Sequence, residues 1–167
     1  MTEPKERGVI GRRLRELDAM LTQARLLAFD LNVSHRSGTG PTCVCIHGLY
    51  ASAGVFRPLR AALKERVDCG THSFSYAPGP GIAALSRRLQ QLLQTVSHPG
   101  PIVLVGHSLG GLVACHYVSQ SGADPRVAAT VSLAAPFRGS RRSHLVPGDA
   151  GRDVHLDAAV LRSLAAG

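Results

Sequence analysis

The residues best placed for chemistry in this sequence are a serine and its two flanking glycines, Gly106-x-Ser108-x-Gly110. An apolar, β-branched run over 101–105 precedes them and an apolar stretch over 112–118 follows, which predicts a buried strand, a sharp turn and a helix. Glycines two residues to either side remove the Cβ atoms that would crowd such a turn, so the serine can expose its hydroxyl oxygen. The chemistry that suits this arrangement is attack by Ser108 on a carbonyl carbon.

The oxyanion formed by such an attack needs backbone N–H donors, and the sequence offers two. Leu109 follows the serine at the start of the predicted helix, so its N–H can point at the oxyanion. A second short β-rich run, 42–46, ends in His47-Gly48, where the glycine lets the chain turn back. The N–H of Leu49 is therefore the natural second donor.

Three local patterns follow one another along residues 41–140. They are Cys45-Ile46-His47-Gly48-Leu49, then Gly106-His107-Ser108-Leu109-Gly110-Gly111, then Leu133-Ala134-Ala135-Pro136-Phe137-Arg138-Gly139-Ser140. Together they resemble the α/β-hydrolases, most of all the bacterial triacylglycerol-lipase-like and esterase-like members. In the third pattern lipases often carry Pro-His, where this chain has Pro136-Phe137. The resemblance implies hydrolysis of a carboxylic ester through an acyl-serine intermediate, without a metal or another cofactor.

The acid and the histidine that would activate the serine are not evident. The family order is serine, acid, histidine, so His47, which precedes the serine, is assigned a loop-shaping role. We interpret His116, inside the helix after the serine, as a packed or surface histidine. The remaining candidates do not follow a recognisable strand; the acids are Asp124, Asp149 and Asp153, and the histidines are His144 and His155. Asp153 and His155 are only two residues apart, and we interpret these two as surface polar residues.

Two interpretations of this gap stay open. The favoured one is an incomplete lipase-like hydrolase whose sequence stops before its acid and histidine, because the sheet would otherwise end at four strands with a poorly covered edge. The other is a compact active enzyme that uses Asp149 or Asp153 with His155. Two further functional classes share the same serine turn: a non-catalytic hydrolase-fold binding module, and an acyltransferase.

Composition sets the broad class of the protein. A chain of 167 residues with 44% hydrophobic and 18% charged residues is ordinary for one globular domain. It has no transmembrane-length apolar run and no secretory signal, so we expect a cytoplasmic protein that acts on a small-molecule or lipid ester. The net charge of +8 comes mostly from arginine without interleaved aromatics, which argues against nucleic acid and leaves weak contact with anionic membranes as a minor alternative.

The pattern along the chain predicts an α/β fold with a doubly wound, mainly parallel sheet, preceded by an N-terminal amphipathic helix. We divide the chain into 1–40, the helix and linker, and 41–167, the hydrolase core. The four cysteines are expected to be buried and unpaired. The predicted strands are 42–46, 70–76, 101–105 and 127–133, and the predicted helices are 8–29, 55–66, 82–96, 109–121 and 157–166.

Overall fold

A four-stranded, wholly parallel sheet organises the computed structural model, which describes residues 40–166. The strands lie in the order β2-β1-β3-β4, so β1 and β3 are central. The strands are β1 (Thr42–Ile46), β2 (Gly70–Phe74), β3 (Ile102–His107) and β4 (Val127–Leu133). The helices are α1 (Arg57–Arg66), α2 (Ile82–Thr95), α3 (Leu109–Val118), α4 (Gly148–Asp153) and α5 (Ala159–Ala166).

This architecture confirms the predicted doubly wound parallel sheet. The strands at 42–46 and 127–133 have the predicted bounds, and the other elements agree to within a few residues. Sequence periodicity missed α4, because a helix of 6 residues is too short to show a repeating apolar face. Two short 3₁₀ segments, Ala53–Phe56 and Ser143–Leu145, complete the fold. The predicted helix over 8–29 lies outside the described residues.

The two sides of the sheet carry two separate cores, because successive residues of a strand face opposite sides. On one side Val44 and Ile46 of β1 pack with apolar residues of α2, α3, α4 and α5. On the other side Cys43 and Cys45 pack beneath α1, through Leu59 and other residues. All four cysteines are free; Cys43, Cys45 and Cys69 are buried as predicted, whereas Cys115 is only half-buried. Among the helices of residues 40–166, none combines the length and apolarity needed to cross a membrane.

The amino-terminal edge of the sheet is held by Arg126, which lies just before β4. Its guanidinium donates to the carbonyl oxygens of Leu93 (2.9 Å), Val96 (2.6 Å) and His98 (2.8 Å) at the end of α2. It also pairs with the carboxylate of Asp124 at 2.6 Å, and this hydrogen bond lowers the pKa of Asp124 below its usual range. Arg126 therefore links α2 to the edge of the sheet opposite the serine turn.

Replacing Arg126 with alanine should lower the free energy of unfolding by about 2 kcal/mol. Three carbonyl oxygens lose their hydrogen-bond donor, and water replaces only part of the lost interaction. Urea unfolding at pH 7 measures the change. The control is Arg88→Ala, an exposed arginine on α2, which should change stability by less than about 0.5 kcal/mol. Equal losses from the two substitutions would contradict the structural role of Arg126.

Candidate active site

Ser108 occupies the turn between β3 and α3 in a strained backbone conformation. Its φ is 52° and its ψ is −119°, a region that residues with a side chain rarely adopt. The N–H of Ser108 donates to the carbonyl of Leu133 at the end of β4 (2.8 Å), and its own carbonyl accepts from the N–H of Gly111 (3.0 Å). Hydrogen bonds on both sides of the residue hold the strain in place, which is common where a side chain must be presented for chemistry.

The glycines around Ser108 allow three backbone segments to touch. A Cβ on Gly106 would lie 2.4 Å from backbone atoms of Gly110 and Gly111, within the first turn of α3. A Cβ on Gly110 would lie 2.1 Å from the carbonyl oxygen of Ile46 and 2.6 Å from that of His47. Both contacts are far shorter than any real Cβ contact. The spacing recognised in the sequence therefore serves to bring α3 against the end of β1.

The loop that follows β1 lies directly beside the serine. A Cβ on Gly48 would be 3.0 Å from the Cβ of Ser108, so the two backbones approach closely. A hydrogen bond from the N–H of Ala51 to the carbonyl of Gly48 (3.3 Å) closes the turn that contains Leu49. Neither Leu49 nor Leu109 donates its N–H to a backbone carbonyl of residues 40–166.

His47 supports this loop from behind and is held as a neutral imidazole. Its Nε2 accepts the backbone N–H of Tyr76 (3.1 Å), so Nδ1 carries the proton and donates to the carbonyl of Gly48 (2.7 Å). The Tyr76 ring stacks on it with centroids 4.2 Å apart, and the tyrosine hydroxyl donates to the His47 carbonyl (2.5 Å). Burial lowers the pKa of His47. With both ring nitrogens engaged, His47 has the geometry of a loop-shaping residue.

Backbone strain is concentrated at the edge of the sheet that contains Ser108. Within residues 40–166 the non-glycine residues with positive φ are Tyr50 (53°), Ser108 (52°) and Ala134 (50°). They follow β1, β3 and β4, whose carboxyl ends meet at one edge because the strands are parallel. Ligands of open α/β sheets bind outside this edge. Neither Tyr50 nor Ala134 had a sequence signal of its own, since most strained positions are glycine or asparagine.

The acidic candidates all have other partners. Asp124 lies before β4, roughly 20 Å of strand away from the serine edge, and pairs with Arg126. The Oδ2 of Asp153 accepts the N–H of Ile82 (2.7 Å) and so caps the start of α2. Asp153 is thus a structural cap, and the expectation of a surface polar residue was wrong. Asp149 forms an exposed ion pair with the neighbouring Arg152.

The histidine candidates are likewise not at the serine. His144 and His155 are exposed; the Nδ1 of His144 donates to a backbone carbonyl, and the Nδ1 of His155 accepts a backbone N–H. They line a cavity of about 400 Å³ that does not include Ser108. His116 pairs with the hydroxyl of Ser86 at 2.9 Å, so it is a packed histidine as expected. Within residues 40–166, no side chain hydrogen-bonds the hydroxyl of Ser108.

The geometry is that of a strained serine turn and an adjoining loop at the carboxyl edge of a parallel sheet, and comparison with known proteins agrees with this fold. The sequence profile of the alpha/beta hydrolase family matches residues 43–166. The chain belongs to this family.

One curated relative is the mouse (Mus musculus) sn-1-specific diacylglycerol lipase ABHD11, 36% identical over 98 residues, which are 54% of this chain and 32% of the relative. Among solved structures, the mature lipase BlEst2 of Bacillus licheniformis matches with a TM-score of 0.59 and 19% identity, over 77% of this chain and 59% of that one. The monoacylglycerol lipase of Paleococcus ferrophilus matches with a TM-score of 0.58 and 17% identity, over 66% and 45%. The chain thus spans about a third of the mouse relative's length.

Adding one methyl group at Gly110 should lower the free energy of unfolding by roughly 3 kcal/mol, because its Cβ would overlap two carbonyl oxygens of β1 and its loop. The variant is Gly110→Ala, measured by urea unfolding. Gly122→Ala is the matched control: its Cβ meets no atom within 4 Å but its φ is +90°, so we expect a cost of only about 1 kcal/mol. A cost at Gly110 no larger than that at Gly122 would refute the close contact.

The neutral state of His47 predicts how stability depends on pH. Burial lowers the folded-state pKa of His47 below the unperturbed value of about 6.5, so between the two values the unfolded chain binds more protons. The stabilisation contributed by neutral His47 is therefore complete above about pH 6.5 and is lost as the pH falls towards the folded-state pKa. Between pH 7 and 5, we expect the free energy of unfolding of His47→Gln to fall less than that of the original chain. His72 and His116 also have lowered pKa values, so part of the slope should remain.

Urea unfolding at half-unit pH steps gives the free energy of unfolding of the original chain and of His47→Gln. The range above pH 7 serves as the internal control. There the two curves should run parallel. Curves that also stay parallel down to pH 5 would show that His47 is not the group responsible.

Proposed function

We propose that this chain carries the nucleophile and oxyanion-binding amides of a serine hydrolase that cleaves carboxylic esters. The observation that carries the proposal is the closeness of Gly48 to Ser108. A Cβ added to Gly48 would lie 3.0 Å from the Cβ of Ser108. This contact brings the loop with the Leu49 amide to a serine whose φ of 52° already departs from ordinary backbone. The names of the relatives, a diacylglycerol lipase and a monoacylglycerol lipase, support a lipid ester as the substrate class.

The mechanism begins when the Ser108 oxygen attacks the ester carbonyl carbon and gives its proton to a general base. The carbonyl oxygen becomes an oxyanion and accepts hydrogen bonds from the N–H groups of Leu49 and Leu109, each worth about 10²–10³ in turnover. Collapse of the tetrahedral intermediate breaks the bond to the alcohol, which leaves with the proton held by the base. Water then attacks the acyl-serine through the same steps and releases the carboxylic acid.

The general base and its orienting acid are assigned to polypeptide other than residues 40–166. Each acidic and histidine candidate in this range is either exposed or occupied by another partner, as described above. The proposal therefore gives residues 40–166 three tasks: holding the serine, binding the oxyanion and closing one side of the site. Proton transfer at Ser108 is the task that they leave to another segment.

A non-catalytic binding module is the second candidate, and it is favoured because the hydroxyl of Ser108 has no side-chain partner among residues 40–166. Such a module would have no use for the strain at Ser108 or for the amide loop beside it. Removing the strained residue would then be neutral for function and favourable for stability. The retention of Ser108 between Gly106 and Gly110 supports the catalytic proposal over this alternative.

Covalent labelling with a fluorophosphonate probe, with and without added imidazole as a substitute base, tests the proposal. We expect the purified chain to react at Ser108 and imidazole to accelerate that reaction about tenfold or more, since a general base contributes 10²–10⁴. Mass spectrometry of the labelled peptide locates the adduct. Ser108→Ala should abolish labelling, and the matched variant Ser119→Ala, an exposed serine just after α3, should leave it unchanged.

Slow labelling that imidazole does not accelerate, or labelling that persists in Ser108→Ala, would overturn the catalytic proposal and favour the binding module. Fast labelling without imidazole would show that a base already lies within the 167-residue chain. In that case the compact arrangement with His155 is tested by His155→Gln. Turnover of p-nitrophenyl esters of increasing acyl length then identifies the preferred ester.

A further inference from the structure

The segment that follows β4 crosses the edge of the sheet where Ser108 lies. It begins at Leu133, whose carbonyl oxygen accepts the N–H of Ser108 (2.8 Å). Further along, the carbonyl oxygen of Leu145 accepts a hydrogen bond from the hydroxyl of Tyr50 (3.3 Å), in the loop after β1. Because β3 lies between β4 and β1, residues 133–147 pass from one side of the serine turn to the other. We call residues 133–147 the crossing segment.

The crossing segment carries positive charge and contains no acidic residue. Its three arginines, Arg138, Arg141 and Arg142, are exposed. Their guanidinium groups form no ion pair and no hydrogen bond with any part of residues 40–166. The loops between β1 and α1 and between β2 and α2 contain no Asp, Glu, Lys or Arg. The loops at the carboxyl edge therefore present three cations and supply no carboxylate to pair with them.

The acidic residues that follow the crossing segment do not neutralise these arginines either. The carboxylate of Asp149 pairs with Arg152, and the carboxylate of Asp157 lies 3.8 Å from the Nδ1 of His155. Asp153 caps the start of α2. Three guanidinium groups are thus left for an anion supplied from outside residues 40–166.

Large apolar side chains are exposed at the same edge. Tyr50, Leu133, Phe137 and Leu145 are between 40% and 64% exposed. Three of them belong to the crossing segment, and the hydroxyl of Tyr50 connects the fourth to it. Exposed apolar residues that are rimmed by charge mark interaction sites. This edge thus combines apolar contact area with unpaired cations next to the serine turn.

We propose that the crossing segment and Tyr50 form a binding surface for an anionic phospholipid bilayer. The three guanidinium groups pair with lipid phosphates, and the side chains of Phe137 and Leu145 enter the boundary between headgroups and acyl chains. A bilayer suits this surface because arginine guanidinium groups stay at the hydrated headgroup level while their apolar neighbours are buried. A protein partner would have to bury the three cations or supply carboxylates to pair with them.

This binding orients the serine edge of the sheet towards the membrane. The use of that orientation rests on the proposed function, in which Ser108 meets lipid esters at the bilayer surface. Vesicle binding itself does not require a catalytic serine, so Ser108→Ala should bind vesicles as well as the original chain. Failure of membrane binding and failure of ester cleavage are therefore measured separately.

Flotation of the full 167-residue chain with lipid vesicles tests the charge requirement. We expect the partition coefficient on phosphatidylcholine vesicles to rise about tenfold or more when about 30% phosphatidylglycerol is included. The triple variant Arg138→Gln, Arg141→Gln, Arg142→Gln should lose about tenfold or more on the anionic vesicles. The physical reason is that each cation near an anionic surface contributes about fivefold.

The matched control removes the same charge at Arg66, Arg87 and Arg88, which are exposed on α1 and α2. Changing these three residues to glutamine should lower the partition coefficient by about threefold or less, because they lie away from the proposed contact. A loss as great as that of the crossing-segment variant would contradict the proposal, since net charge alone would then account for binding.

A single tryptophan reports which side chains enter the bilayer, because the chain contains none. The emission of Leu145→Trp should shift to shorter wavelength on addition of anionic vesicles and should be quenched by brominated phospholipids. Val67→Trp is the control, because Val67 is likewise exposed (47%) but follows α1, at the amino-terminal edge of the sheet. Its emission should stay unchanged.

Three further outcomes would overturn the proposal. Absence of binding to anionic vesicles would show that this edge does not contact a bilayer. Equal shifts from Leu145→Trp and Val67→Trp would show that the chain adsorbs without a preferred face. A Leu145→Trp emission that is already at short wavelength in buffer and moves to longer wavelength on dilution would assign the surface to a second copy of the chain. Far-UV circular dichroism and the urea midpoint establish that each variant remains folded.

Discussion

The contact between Gly110 and the end of β1 determines how the candidate site is assembled. At this point the first turn of α3 lies so close to the carbonyls of Ile46 and His47 that a single methyl group would not fit. The helix that begins after Ser108 thereby packs against the strand that leads into the loop of Gly48 and Leu49. Segments that are some sixty residues apart in sequence can lie this close because Gly110 carries no side chain at the contact.

The surroundings of this contact keep it rigid. His47 uses one ring nitrogen on Tyr76 and the other on Gly48, so the loop is attached to the end of β2 as well as to β1. Ser108 is attached in turn to the end of β4 through the carbonyl of Leu133. In the proposed mechanism this rigidity would place the two donors before the charge develops, which is the main source of oxyanion stabilisation.

Sequence reasoning located the main parts of this arrangement and could not supply the distances. The strands over 42–46 and 127–133 were predictable because runs of β-branched and small apolar residues are bounded by glycine, proline and polar residues. The turn at Ser108 was predictable because glycine spacing reports steric crowding directly. The role of His47 followed from its position ahead of the serine.

What the sequence could not reveal depends on crossover connections between distant segments. Asp153 caps α2 only because α4 returns to that helix, and no local pattern near Asp153 indicates such a return. The exposure of Val131 in β4 was equally hidden, because an apolar β-branched residue in a strand predicts burial. It results from the absence of a helix over β4 on the side of the sheet that carries α1, within residues 40–166.

The most direct test of this account is the response of two backbone amides to a tetrahedral adduct at Ser108. In ¹⁵N-labelled chain treated with an alkylboronic acid, we expect the amide proton resonances of Leu49 and Leu109 to move downfield together. Both shifts should vanish in Ser108→Ala. An adduct on Ser108 that leaves either amide unmoved would show that the loop after β1 and the start of α3 do not form one oxyanion site.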